Sequence, residues 1–379
     1  MNRFWEPLPD DRVRTLVKGW GAESLHRHVQ AVAYGLERNG RPFEALGLLS
    51  AACEAAADPS TIAELALTGG QIASNCAEPV AAAQAVTVAR AAIEACSGEL
   101  GPQWLLVQGH ALGDLGHVDE ALEIYALARS GFTERGDVSG VALVDQNVGS
   151  LLHDCGDHER ALELLTDAAA VFTRLGDDAS LWACWLSISP TLRCLDRLEA
   201  AVVVNERLIA SLREAGDQMV LGHALVNFGH VHVERGDHRA AEECYLEALS
   251  LYRRIGLVSD EAVCLSSLGY VARADGRLEL ALSLQRQAEG VFQSHHRPAD
   301  LAIVRYQLAI TSLHLGRWAD AKRYAELATD VPGTDLDPAL VLSVALEHLG
   351  DHASAERERQ GFIDRQDERT VQQELAMLH

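Results

Sequence analysis

Apolar residues recur at helical spacing through residues 224–256, ALVNFGHVHVERGDHRAAEECYLEALSLYRRIG, on both sides of a Gly-Asp pair. The pattern predicts helix, tight turn, helix. It returns forty residues later as AVCLSSLGYVARADGRLELALSLQRQAEGVF. A unit of this length cannot bury its apolar face alone, so copies must stack.

Columns at this period carry the prediction further. Steps of forty through Gly236 land on Gly116, Gly156, Asp196, Gly276 and Gly316; a shorter step gives Gly350, and backward steps give Cys76 and Gly40. Glycine suits a chain that leaves one helix and enters the next at once, because that turn needs φ > 0. Five residues after each turn stands alanine: Ala45, Ala81, Ala121, Ala161, Ala201, Ala241, Ala281, Ala321 and Ala355. A small side chain there lets the second helix approach the first. Seven before the turn is another small column, Gly109, Gly149, Ser189, Gly229, Gly269 and Ala309; sixteen after it is a large one, Phe132, Phe172, Leu212, Tyr252 and Phe292. Small residues against large ones are what two helices packed at native density require.

The small column, the turn glycine, the alanine and the aromatic at Tyr125 and Tyr245 resemble the pattern of the tetratricopeptide repeat. That family's unit is 34 residues, whereas most units here are 40. The longer spacing, with unit endings FTERGD, FTRLGD and LREAGD, is similar to the arrays of kinesin light chain and of actinobacterial antibiotic-regulatory activators. The resemblance implies an all-α fold, a right-handed superhelical solenoid of about nine helix-turn-helix repeats. It implies an N-terminal cap over residues 1–20, a solenoid over 21–362 that is regular over 99–296, and a polar C-terminal helix or tail over 363–379.

Several places depart from regularity. Pro7 and Pro9 give the chain an extended start, and Trp5 and Trp20 are expected to cover the end of the first repeat. Units 22–58 and 59–98 are divergent; Pro79 falls in the first turn of a helix, where proline is tolerated. In unit 178–217 the turn residue is Asp196, and Pro190 is expected to interrupt and kink the first helix. Drift compensated by packing, or a bend that opens a pocket near Trp182 and Trp185, are the two readings of that unit. Asp137, Asp177, Asp217, Asp157 and Asp237 each follow a turn glycine and are expected to cap the next helix.

Charge and cysteine content narrow the function. A net charge of −23 argues against nucleic acid, which needs a basic stripe to release counterions, and against anionic membranes. The eight cysteines, Cys53, Cys76, Cys96, Cys155, Cys184, Cys194, Cys244 and Cys264, form no Cys-x-x-Cys and are expected to be small buried hydrophobes in a reducing compartment. With no signal peptide at Met1–Trp5 and no run of eighteen apolar residues, a cytoplasmic location is expected. Signatures of catalysis, of cofactor binding and of metal chelation are missing. His230 and His232 point about 200° apart on a helix and cannot chelate together.

The first helix of each unit lines the concave groove in the resembling family. Nine before each turn stand Asn147, Ser187, Asn227, Ser267 and Gln307; six before, His110, Ser150, Pro190, His230, Tyr270 and Ile310; three before, His153, Arg193, Val233, Arg273 and Leu313; thirteen before includes His223. These offsets follow one helical stripe. Asparagine and glutamine carry both donor and acceptor, which suits an extended peptide backbone. Asn147 and Asn227 match the peptide-holding asparagines of similar arrays, and Ser187 and Ser267 depart from them. A clamp for a terminal carboxylate would need Lys where Gln146 and Val226 stand.

The first reading is therefore a regulatory binding module for a peptide or protein segment. A second is an enzyme with a small molecule among His110, His153, His223, His230, Tyr270, Arg193 and Arg273, where His is the base and Arg holds an anion. A third is a passive scaffold, and self-association stays open in all three.

Overall fold

The structure, a computed structural model, describes residues 29–30, 32–33, 36, 42–56, 58–75, 79–95, 101–114, 116–294, 297–328 and 337–365. The expected cap over 1–20, the positions of Gly40, Cys76 and Cys96, and the tail beyond Arg365 lie outside these residues. The described residues hold seventeen helices and no strand.

The chain divides into two compact units, Met1–Ser211 and Leu212–His379. The first contains α1 (Pro42–Ala55), α2 (Pro59–Asn75), α3 (Pro79–Ala95), α4 (Pro102–Asp114), α5 (Val118–Glu134), α6 (Val138–Asp154), α7 (His158–Leu175), α8 (Asp178–Cys194) and most of α9 (Leu198–Ala215). The second contains α10 (Gln218–Glu234), α11 (His238–Ile255), α12 (Val258–Ala274), α13 (Leu278–Ser294), α14 (Pro298–His314), α15 (Trp318–Ala328), α16 (Ala339–His348) and α17 (His352–Arg365). From α2 onward the even-numbered helices are the first of each pair and the odd-numbered ones the second.

The turns inside the pairs share one geometry. Gly116, Gly156, Gly236, Gly276, Gly316 and Gly350 have φ between 68° and 86°. At Gly236 the turn glycine donates to Val233 O at 2.9 Å and Asp237 N–H to His232 O at 2.9 Å. These are the two reverse bonds that close a helix end on a left-handed residue. The same pair recurs at Gly156, Asp196, Gly276 and Gly316. Asp196 takes up this geometry with φ 56°, the one non-glycine positive φ among the described residues. The turn therefore constrains the backbone even where the sequence lacks glycine.

The residue after the turn begins the second helix, and its carbonyl accepts from the alanine four residues on, as Asp237 O does from Ala241 N–H at 3.1 Å. All nine alanines are buried. The small column seven before the turn meets the residues nine after it, rather than those sixteen after it. A Cβ on Gly109 would lie 2.7 Å from the Tyr125 ring, one on Gly149 2.7 Å from Leu165, and one on Gly229 2.4 Å from Tyr245. In the degenerate unit the same contact is polar: Asn205 Nδ2 donates to Ser189 Oγ at 2.7 Å, both side chains buried. The large column is buried as expected, but its Phe132 packs on Gly140 and its Tyr252 on Gly222.

Two expectations need correction. Helix α8 runs unbroken from Asp178 through Pro190 to Cys194. Proline removes one intrahelical bond, but the buried side chains on either side, Ile188, Ser189, Thr191 and Leu192, anchor both halves. Capping holds at Asp137, Asp177, Asp217 and Asp237, whose carboxylates accept from Gly140, Ser180, Val220 and Ala240 N–H. Asp157 makes no such bond; its carboxylate pairs instead with Arg160 at 2.9 Å.

Ala241→Leu should lower stability by about 1–3 kcal/mol, since a fully buried contact has no room for three more carbons. A urea denaturation midpoint equal to that of the parent protein would place the helix contact elsewhere. Asp196→Gly should raise stability by about 0.5–1 kcal/mol by relieving a left-handed L-residue, and a lowered thermal midpoint would contradict the shared turn geometry.

Candidate functional site

The twelve stripe residues lie on six first helices: His110 on α4, Asn147 and His153 on α6, Ser187 and Arg193 on α8, His223, Asn227 and His230 on α10, Ser267, Tyr270 and Arg273 on α12, and Gln307 on α14. Every one is half-buried. Outward polar residues on a second helix behave differently; Glu243 and Glu247 on α11 are exposed. A freely solvated helix face would leave both sets equally open. The stripe is thus sheltered, and its polar groups must find partners there.

In the first unit the stripe links neighbouring pairs. Ser150 and Ser187 hydroxyls lie 3.1 Å apart. Thr191 Oγ1 is 3.1 Å from His153 Nδ1. A cavity of about 410 Å³ opens beside them, lined by His110, Tyr125, Asn147, Ser150, Asp154 and Cys155 among others. It brings His110 and Asn147 together but includes neither Arg193 nor Arg273. The His/Arg set of the enzyme reading is therefore not assembled in that cavity.

In the second unit Ser266 Oγ donates to Gln307 Oε1 at 2.9 Å. The Arg273 guanidinium sits 5.1 Å over the Tyr270 ring, a cation–π arrangement. Its Nε is buried without a hydrogen-bond partner. Burial pulls the Arg273 pKa below its ordinary value, opposed by Tyr270 and Tyr306. His223 Nε2 lies 3.5 Å from Asp260 Oδ1, and the His230 ring lies 5.7 Å from that of Tyr245. The polar stripe stops in α14, where Ile310 and Leu313 are core residues.

Further buried polar groups lie beside the stripe. Gln108 Oε1, Gln146 Oε1 and Trp182 Nε1 are buried on first helices without partners. Gln108, eight before its turn, stands off the offsets of nine, six and three and carries no signal in the sequence. His153, His158 and Cys194 together could hold a metal ion. The expectation of buried cysteines holds for Cys53, Cys184 and Cys264; Cys244 is half-buried, whereas Cys155 and Cys194 are exposed. Those two sit at the ends of α6 and α8, where the helix end carries them out of the core. Burial raises the thiol pKa of Cys53, Cys184 and Cys264 to about 12, and that of Cys244 to about 11.

Among known families, the tetratricopeptide repeat model matches residues 220–294. Residues 220–294 carry tetratricopeptide repeats. Kinesin light chain-related protein 3 of Arabidopsis thaliana is 21% identical over 241 residues, which are 61% of this chain and 37% of that protein. This chain therefore matches well under half the length of that relative. Among solved structures, a Rap protein complexed with Competence and Sporulation Factor has a TM-score of 0.62 at 13% identity, over 95% of this chain and 100% of that one. NprR in complex with its cognate peptide NprX has a TM-score of 0.58 at 14% identity, over 91% and 99%. The repeat sensor protein of the STAND signal-transduction ATPase class from Pyrococcus horikoshii has a TM-score of 0.62 at 12% identity, over 90% and 53%. At these identities the likeness is one of fold. None of the described helices of the repeats is long and apolar enough to cross a membrane.

Alkylation of the native protein near pH 8, followed by peptide mapping, should modify Cys155 and Cys194 first. Cys53, Cys184 and Cys264 should react only after unfolding, because burial disfavours the thiolate that attacks the reagent. Early modification of Cys184 or Cys264 would contradict the packing of α8 and α12.

Proposed function

We propose that the chain is a regulatory binding module whose repeats hold a peptide or an extended protein segment along the first helices. The observation that carries this reading is the half-burial of all twelve stripe residues beside exposed polar residues on the second helices. A sheltered polar stripe suits a ligand that brings its own donors and acceptors, as a peptide backbone does. Arg273, partly desolvated and without an ion pair among the described residues, supplies a cation for a carboxylate on that ligand. The net charge of −23 favours a segment that is otherwise neutral or basic. The Rap and NprR structures that share the fold hold Competence and Sporulation Factor and the peptide NprX respectively, which supports the same class of ligand here. A cytoplasmic location and a solenoid over residues 21–362 belong to the same proposal.

A native mass spectrum of the protein isolated from its source cell identifies the ligand class, and fluorescence anisotropy with that peptide measures affinity. Asn227→Ala should weaken binding roughly threefold to tenfold, as expected for one hydrogen bond worth about 0.5–1.5 kcal/mol. Glu243→Ala, on the exposed face, should leave it unchanged. Equal losses from both, or none from Asn227→Ala, would remove the stripe from the binding site; a captured small molecule in place of a peptide would favour the enzyme.

A further inference from the structure

Three potential ligands from three helices converge beside the α6–α7 turn. His153 is in the last turn of α6, His158 opens α7, and Cys194 closes α8. One ligand atom from each lies within 4.8 Å of the other two. The imidazole rings of His153 and His158 are 5.1 Å apart between centroids. Nothing in peptide binding calls for this arrangement, and Cys194 is not a member of the stripe.

We propose that His153, His158 and Cys194 form a Zn²⁺ site, with three protein ligands and a fourth position open to water or to a bound partner. Two imidazoles and a thiolate are the borderline-soft set that zinc takes, at about 2.0–2.1 Å from nitrogen and 2.3 Å from sulfur. Tetrahedral coordination at those lengths sets ligand atoms about 3.3–3.6 Å apart. Cys194 is exposed, so its side chain has space to turn inward and close the remaining gap.

The hydrogen bonding around His153 prepares it for this role. Thr191 has one hydroxyl proton and donates it to Ser187 O at 2.7 Å. Toward His153 Nδ1, at 3.1 Å, the same oxygen must therefore accept. That places the proton on Nδ1 and leaves the lone pair on Nε2 for the metal. An outer hydrogen bond that fixes tautomer and ring angle is the usual companion of a metal-binding histidine. On His158, Nδ1 is buried with no hydrogen-bond partner, which is unfavourable in a site without a ligand.

Bound zinc would tie the α6–α7 turn to the end of α8, across two successive repeats. It would also fix the stripe residue His153 and restrain Arg193, which precedes Cys194 in the chain, so metal occupancy would set the shape of that part of the ligand-binding surface.

The test uses the full chain with Zn²⁺ and Co²⁺ alone. Calorimetric titration should give one Zn²⁺ per chain. The Co²⁺ form should show a thiolate-to-metal charge-transfer band and the intense visible bands of tetrahedral coordination. Cys194→Ser should abolish the charge-transfer band, His158→Gln should weaken Zn²⁺ binding at least tenfold, and Thr191→Val should weaken it roughly ten- to a hundredfold through lost positioning. Cys155→Ser should leave the band in place. Zn²⁺ should protect Cys194, and not Cys155, from alkylation in the native protein. A charge-transfer band that survives Cys194→Ser, or that disappears with Cys155→Ser, would overturn the assignment. So would unchanged affinity in His158→Gln, or the absence of tetrahedral Co²⁺ bands in a parent protein shown by circular dichroism to be folded.

Discussion

The repeats depend on one constraint, the left-handed residue between the two helices of each pair. It reverses the chain in a single step and closes the first helix with two reverse hydrogen bonds. The next residue then starts the second helix, which places the alanine column four residues in, against the first helix. Close approach of the two helices follows, and with it the need for Gly109, Gly149 and Gly229 where the partner residue is large. The constraint is strong enough that Asp196 obeys it at φ 56°, a region that costs an L-residue about 1–2 kcal/mol.

The same turn places the chemistry. The first helix of each pair ends at the turn, so residues counted back from it share a face from pair to pair. That is why Ser150 reaches Ser187 and His153 reaches Thr191 across roughly one period. On the second helices the outward polar residues form ion pairs at the surface, such as Arg197 with Glu159 and Arg317 with Glu279. Exposed pairs of this kind contribute little to stability. The polar groups that carry energetic weight are the enclosed ones, such as Asn205 and Gln285.

Much of this was legible in the sequence because it is periodic. The turns, the alanines and the stripe repeat at forty residues, and each maps onto a backbone or packing requirement. What was not legible depends on single positions. Pro190 reads as a helix breaker, yet buried neighbours on both sides keep α8 continuous. Cys155 and Cys194 share a residue type with buried Cys184, but their position at helix ends exposes them. The small column meets Tyr125 and Tyr245 rather than Phe132 and Tyr252, a choice the sequence leaves open because large residues stand at both offsets. His158 and Cys194 were invisible as a pair, since one begins a helix in one repeat and the other ends a helix in the next.

The buried polar contacts give each interface its own identity. Gln285 Oε1 accepts from Thr311 at 2.8 Å, both side chains fully enclosed. One period earlier the same two positions are Tyr245 and Val271, also enclosed. A chain that skipped a repeat while folding, or borrowed one from a second molecule, would set an amide against a valine. The lost hydrogen bond would be felt at about 1–3 kcal/mol, enough to disfavour the slipped product. An array of near-identical pieces invites mispairing during synthesis, and this glutamine favours its own threonine over the valine found one or two repeats earlier.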